Sequence, residues 1–364
     1  MRRFCCALLA AALLGAVLVG ALRAAPARAQ ASKSGGQIAY LSDGEEVDSG
    51  PDGLSYAIDT LSGPLLRTRG TLVSCTVKGQ EHSATYTQGT VCPTNGPAFS
   101  SDGKTLLFGG FYGPNAAVGI FKMAMPSGKP TRIPIRGLVG MGDAQFLPGN
   151  KQIVFSGQVG TFSNVRLYTV SVNGGVPKVL VNSGGQDPVV CHNGTILYNH
   201  NLGLYRLARG KRGDGKPIIR FDPEVQATAC SPNGRLLAFD RADLYSADTG
   251  KHVSGHRFAT GEPLWGTDAF SPSGTELAVA DQMECSAALC GRYAPQGQWK
   301  DEWSTVCDIR YLEIVNLQGQ VIRRQVIQWP GSCVQQASNP NRPDWYYEGH
   351  WRRTNEFPRV AWQP

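Results

Sequence analysis

From about residue 37 onward, short apolar runs alternate with clusters of Ser, Pro, Asp, Asn and Gly, the pattern of brief strands joined by tight turns. One unit recurs: an aromatic or apolar residue, a turn cluster, then an apolar strand. It reads Ala98-Phe99-Ser100-Ser101-Asp102-Gly103 before Thr105 to Phe108, and Cys230-Ser231-Pro232-Asn233-Gly234 before Leu236 to Phe239. It reads again at Phe270-Ser271-Pro272-Ser273-Gly274 before Glu276 to Val279, with degraded copies at Phe146 to Asn150 and Val190 to Gly194. The residues before the turns, Phe99, Phe146, Val190, Cys230 and Phe270, are spaced by 47, 44, 40 and 40 residues. Strand-rich repeats of roughly 40 to 50 residues predict propeller blades. Gln37-Ile38-Ala39-Tyr40 has the strand half of the unit without its opening, whereas Val360-Ala361-Trp362-Gln363-Pro364 has the opening and then stops. Each end supplies what the other lacks, so the expected fold is an all-β, six-bladed propeller closed between its N-terminal and C-terminal strands.

Each unit also carries a third strand and a turn, as in Val165 to Val172 before Asn173-Gly174-Gly175 and Asp243 to Ala247 before Asp248-Thr249-Gly250. Glycine stands where a tight hairpin needs positive φ. With Leu-Tyr pairs at Leu167-Tyr168, Leu204-Tyr205 and Leu244-Tyr245, the chain resembles the TolB-type (WD40-like) propeller repeat over nearly all of residues 35 to 364. The resemblance implies a fold, since these residues are turn formers and wedges between blades. TolB proteins carry a separate domain before the propeller, and the expected mature chain has no room for one, so a propeller alone is expected. No Gly-x-Ser-x-Gly elbow is present in the sequence.

The N-terminus joins a basic Met1-Arg2-Arg3 to an apolar run from Phe4 to Leu22 and an Ala27-Arg28-Ala29 cleavage pattern. Residues 1–29 therefore read as a signal peptide and 30–364 as the propeller, secreted or periplasmic. The membrane enters only if the signal stays uncleaved. Losing Arg2, Arg3, Arg23 and Arg28, and no acidic residue, takes the formal net charge from +7 to +3, which is no nucleic-acid footprint. A monomer is expected.

Ten cysteines less the two in the signal leave eight, an even number suited to disulfides in an oxidising compartment. Cys75 and Cys92 bracket one insertion, and Cys285 and Cys290 lie in another. Folding the blade-six hairpin about Gln318-Gly319 brings Cys307 and Cys333 to the same end, which suits a pairing. Cys191 and Cys230 occupy equivalent places on adjacent inner strands, as an inter-blade bridge or as two buried thiols.

Loops joining strands two and three, and strand four to the next blade, emerge on one face of a propeller. The insertions 69–95, 282–306 and 332–356 and the acidic loop from Asp43 to Gly53 all belong to that set. Binding concentrates on loops of a rigid scaffold, which points to the face above blades six, one and two. Four of the seven tryptophans lie in the blade-six insertions: Trp299, Trp303, Trp345 and Trp351, with Tyr346, Tyr347 and His350 beside them. Such rings grip a partner or stack on sugars, or else pack the long loops onto the propeller. The acidic loop, with Asp43, Glu45 and Asp48, offers oxygens to Ca²⁺ without EF-hand spacing, and a solvated turn accounts for it as well. His82, His200 and His350 fall in loops that could face the channel, without metal-site spacing. The leading expectation is a non-catalytic scaffold, without a cofactor, binding a protein or an envelope polysaccharide. The alternative is a propeller-fold polysaccharide lyase or hydrolase with its site on the inserted face.

Overall fold

The computed structural model describes residues 37–46, 54–62, 68–78, 85–86, 91–113, 117–160, 165–201, 203–220, 227–239, 243–254, 266–286, 305–328, 334–335 and 360–364, all within a unit spanning Gly35–Pro364. Blade one holds β1 (Ile38–Glu46), β2 (Leu54–Ser62), β3 (Thr68–Lys78) and a short β4 (Thr85–Tyr86). Blade two is β5 (Val91–Phe99), β6 (Thr105–Tyr112), β7 (Ala117–Ala124) and β8 (Thr131–Arg132). Blade three is β9 (Gly140–Phe146), β10 (Gln152–Gln158), β11 (Arg166–Ser171) and β12 (Lys178–Val181). Blade four is β13 (Gln186–Val190), β14 (Ile196–His200), β15 (Gly203–Leu207) and β16 (Lys216–Arg220). Blade five is β17 (Ala227–Cys230), β18 (Leu236–Phe239), β19 (Asp243–Ser246) and β20 (His252–Ser254). Blade six is β21 (Gly266–Phe270), β22 (Glu276–Ser286), β23 (Thr305–Asn316) and β24 (Val321–Gln328), with β25 (Val334–Gln335) also paired to β23. The last strand, β26 (Val360–Trp362), joins blade one.

Ring closure is direct. In β26, Trp362, Ala361 and Val360 pair antiparallel with Ile38, Ala39 and Tyr40 of β1, and the Gln363 amide donates to the Gln37 carbonyl at 2.8 Å. The Gln363 side chain then reaches blade two, where Nε2 donates to the Gly103 carbonyl at 2.8 Å. Trp362 is buried with Ile38, Tyr40 and Leu61 of blade one against Ala278, Ala280, Leu312 and Ile314 of blade six. The C-terminal strand is thus hydrogen-bonded into one blade and packed on its neighbour.

A blade is covered on both faces, so its middle strands are apolar at successive positions rather than alternating. Leu106 to Gly110 of β6 and Ile153 to Gly157 of β10 are buried without interruption, while both residues of the outer β8 are exposed. Each blade interface has its own core. Leu41, Ile58 and Val73 meet Leu106, Phe108 and Phe121, and Val154, Leu167 and Val181 meet Ile196, Tyr198 and Leu207. Leu237 and Phe239 pack on Val189 and Leu197, and Ala238 and Leu244 on Leu277 and Val279.

The recurring turn builds the same hydrogen-bond set three times. The Ser100, Ser231 and Ser271 amides donate to the Thr105, Leu236 and Glu276 carbonyls at 2.8 to 2.9 Å. Their hydroxyl oxygens accept the amides of those same residues at 2.9, 2.9 and 3.1 Å. Gly103, Gly234 and Gly274 close the turns at φ of 67°, 70° and 71°, where a side chain would be strained.

Among the described residues, two disulfides tie successive blades. Cys75 of β3 bonds to Cys92 of β5, and Cys191 bonds to Cys230 of β17, so the second pair is a bridge and not two thiols.

The strands run further than their apolar cores suggest. Much of the stretch 69–95 is strand, as β3 reaches Lys78 and β5 begins at Val91; likewise β22 continues to Ser286 and β23 begins at Thr305. Asp43 and Glu45 belong to β1, which pairs Asp43 with Tyr56 and Glu46 with Leu54, so the acidic turn is shorter than a loop beginning at Asp43. Cross-strand hydrogen bonding carries a strand past the point where its alternation fades, and composition does not report that extension.

Candidate functional site

Two features distinguish this ring from a plain one: a face on which strands overrun their blades, and a set of polar groups on the inner strands. The overrun is greatest in blade six. Pairing of β22 with β23 continues from Glu276↔Asn316 to Ser286↔Val306, whereas β21 accompanies β22 only as far as Gly266↔Asp281. The far end of this ribbon is widened by β25, which pairs Val334 with Val306 and Gln335 with Thr305. The segments 287–304 and 336–359 therefore leave from one ribbon end. Blade one, its neighbour through closure, likewise extends on that face, where β4 pairs with Val77 and Lys78 of β3. Trp299, Trp303, Trp345, Tyr346, Tyr347, His350 and Trp351 lie outside the described residues, as do Asp48, Cys290, Cys333 and His82.

The inner strands β26, β5, β9, β13, β17 and β21 touch in succession around the axis. In β9 and β13 the register shifts, leaving Asp143-Ala144 opposite Phe155 and Asp187-Pro188 opposite Tyr198. Both aspartates sit at φ 51°, a left-handed conformation that Asp tolerates better than most residues. Bulges of this kind redirect side chains and gather at functional rims. The Asp187 amide donates to Ser156 Oγ of the preceding blade at 3.1 Å, and Asn199 Nδ2 donates to Asp187 Oδ2 at 3.2 Å. In β5, which is also bulged, Asn95 lies over Gly142: a Cβ there would fall 2.1 Å from its Nδ2. Asn95, Asp143, Ser156, Asp187 and Asn199 thus form a polar arc across blades two, three and four. In β21, which pairs without a bulge, Asp268 is buried at 2 % exposure.

No family model matches the chain, and no curated protein matches it. Solved structures do. TolB from Acinetobacter baumannii aligns at a TM-score of 0.55 and 16% identity, covering 91% of this chain and 67% of that one. The chain has a TolB-like propeller fold. A putative TolB from Agrobacterium tumefaciens aligns at a TM-score of 0.49 and 13% identity, covering 90% of this chain and 99% of that one. A nidogen/laminin complex aligns at 0.34 and 13% identity, covering 80% and 93%. The third of the Acinetobacter chain left unmatched is consistent with a shared propeller and a further part outside it.

Within this TolB-like propeller His200, Glu313 and Asp102 each have a partner in their own blade. His200 ends β14 with its ring edge-on to Tyr205 at 5.3 Å and Nε2 2.9 Å from Asn201 Nδ2. No group of three or more His, Cys, Asp or Glu suited to a metal occurs among the described residues. Glu313 of β23 is fully buried and paired with Arg324 of β24; burial pushes its carboxyl above the ordinary range, and the guanidinium pulls it partly back. The exposed Asp102 shifts the other way, because the Ser100 hydroxyl and the Lys104 amide bond its charged form. The polar arc escaped sequence reading. Its one sequence trace is an Asp three residues before two of the anchors, Phe146 and Val190.

Proposed function

We propose that this chain is a non-catalytic scaffold of the cell envelope or exterior that binds a protein partner through the face over blades six and one. The supporting observation is the single ribbon end of β22, β23 and β25, from which both tryptophan-rich segments leave. A rigid strand frame lowers the entropy lost when attached aromatic groups meet a partner. Trp and Tyr carry large binding increments at desolvated contacts. The apolar N-terminal run and two disulfides suit an oxidising compartment. Catalysis would require titratable groups converging on one point, whereas Glu313, His200 and Asp102 each have their partners within their own blade.

Capture from envelope extract on immobilised protein, with the opposite-face variant Asp248→Ala as control, tests the reading. The Trp345→Ala/Trp351→Ala variant is expected to lose the captured protein by at least tenfold while melting like the parent. Equal capture by both variants would sink this placement, and retention on purified peptidoglycan alone would replace the protein partner with a glycan.

A further inference from the structure

Blade six carries a cross-link site that the core itself sets in register. From Glu276↔Asn316 to Ser286↔Val306 the β22–β23 ladder pairs residue with residue and has no bulge. Near its base the register is locked by buried side chains: Leu277, Val279 and Val315 pack towards blade five, and Ala278, Ala280, Leu312 and Ile314 towards blade one. A slip of one residue would exchange those two faces, so it is strongly disfavoured. The same unbroken register places Cys285 directly opposite Cys307.

We propose that Cys285 and Cys307 form a cross-strand disulfide at the end of this ribbon. Directly opposed residues of an antiparallel pair share a face and have Cα atoms about 4.5 to 5.5 Å apart. That falls inside the window of about 4.4 to 6.8 Å that a disulfide spans. Both disulfides among the described residues obey it, at 5.1 and 5.2 Å. The site is also where a cross-link adds support, because β22 beyond Asp281 has no β21 residue beside it among the described residues and only the two-residue β25 flanks β23 there, and a narrow ribbon is marginal in water. The bond forms as Cys285 and Cys307 each lose a proton and together give two electrons to a disulfide-bearing oxidoreductase. Its own disulfide becomes two thiols by way of a mixed disulfide. The bond closes residues 285–307 into a covalent ring that includes Trp299 and Trp303, whether or not those residues bind a partner. It also replaces the Cys307–Cys333 pairing suggested by the hairpin fold, since Cys307 takes one partner only.

The test is a peptide map of the unreduced full chain, alkylated at acid pH to block exchange. Trypsin followed by thermolysin separates Cys285 from Cys290 by cutting before Leu289. The expected product is a Cys285 peptide linked to a Cys307 peptide, lost on reduction. Linkage of Cys307 to Cys333, linkage of Cys285 to Cys290, or alkylated free thiols at 285 and 307 would each overturn the proposal. As a second readout, Cys285→Ala/Cys307→Ala in folded protein is expected to increase early proteolysis between residues 287 and 304 severalfold. An unchanged cleavage rate would contradict the cross-link.

Discussion

At Gly142 the backbone of blade three passes so close to Asn95 of blade two that no side chain fits between them. Gly142→Ala is therefore expected to destabilise the fold by about 1–3 kcal/mol through overpacking. Asn95→Ala should relieve much of that penalty, so a double-mutant cycle in denaturant should show coupling; strictly additive effects would contradict the contact. Ser231 is fully buried and its hydroxyl both donates to Asn233 and accepts from the Leu236 amide. Ser231→Ala should cost about 1–3 kcal/mol, because it leaves the part-buried Leu236 amide without the hydroxyl that accepts from it. Glu313 makes a prediction about pH. Its folded-state pKa is raised, so its contribution is fully present below the ordinary carboxyl range and is lost as pH rises through the folded value. Relative to the parent, Glu313→Gln should accordingly gain stability as the pH rises above the ordinary carboxyl range, measured by thermal melts. A gain on going to lower pH would contradict the assignment.

Among the elements, the blades were legible because each repeats a physical device. A serine turn with a left-handed glycine precedes an apolar strand covered on both sides, and the device survives even where Phe99 becomes Cys230. The arc of Asn95, Asp143 and Asp187 was not legible, because a bulge is a matter of register, and register depends on which residue of the partner strand is opposite. The same gap hid the pairing of Cys285 with Cys307, since their separation along the chain says nothing until the ladder is counted from its buried base. The Cys191–Cys230 bridge joins adjacent inner strands across a separation of 39 residues. For a loop of that length, loop-closure entropy predicts a loss of about 4 kcal/mol in Cys191→Ser/Cys230→Ser. Equilibrium unfolding should show this as a fall in midpoint, and an unchanged midpoint would mean that blade packing alone fixes the interface.

For the whole molecule, closure by β26 gives both blade one and blade six their last strand contact. Deleting residues 357–364 should abolish cooperative unfolding, and a truncated chain that melts like the parent would contradict the closed ring. Two parts of the ring then differ in a way that bears on function. Blades two to five carry bulged inner strands, whereas blades six and one pair regularly at the axis and extend outward on one face. A rigid ring with its elaboration on one side is suited to holding a partner there.

The most direct test of that account is hydrogen exchange on the intact protein with and without its captured protein partner. Protection is predicted in peptides covering 79–90, 282–310 and 329–359, on the face of blades six and one, with the serine turns at Ser100, Ser231 and Ser271 unchanged. Protection concentrated at those turns, or on blades three and four alone, would contradict it.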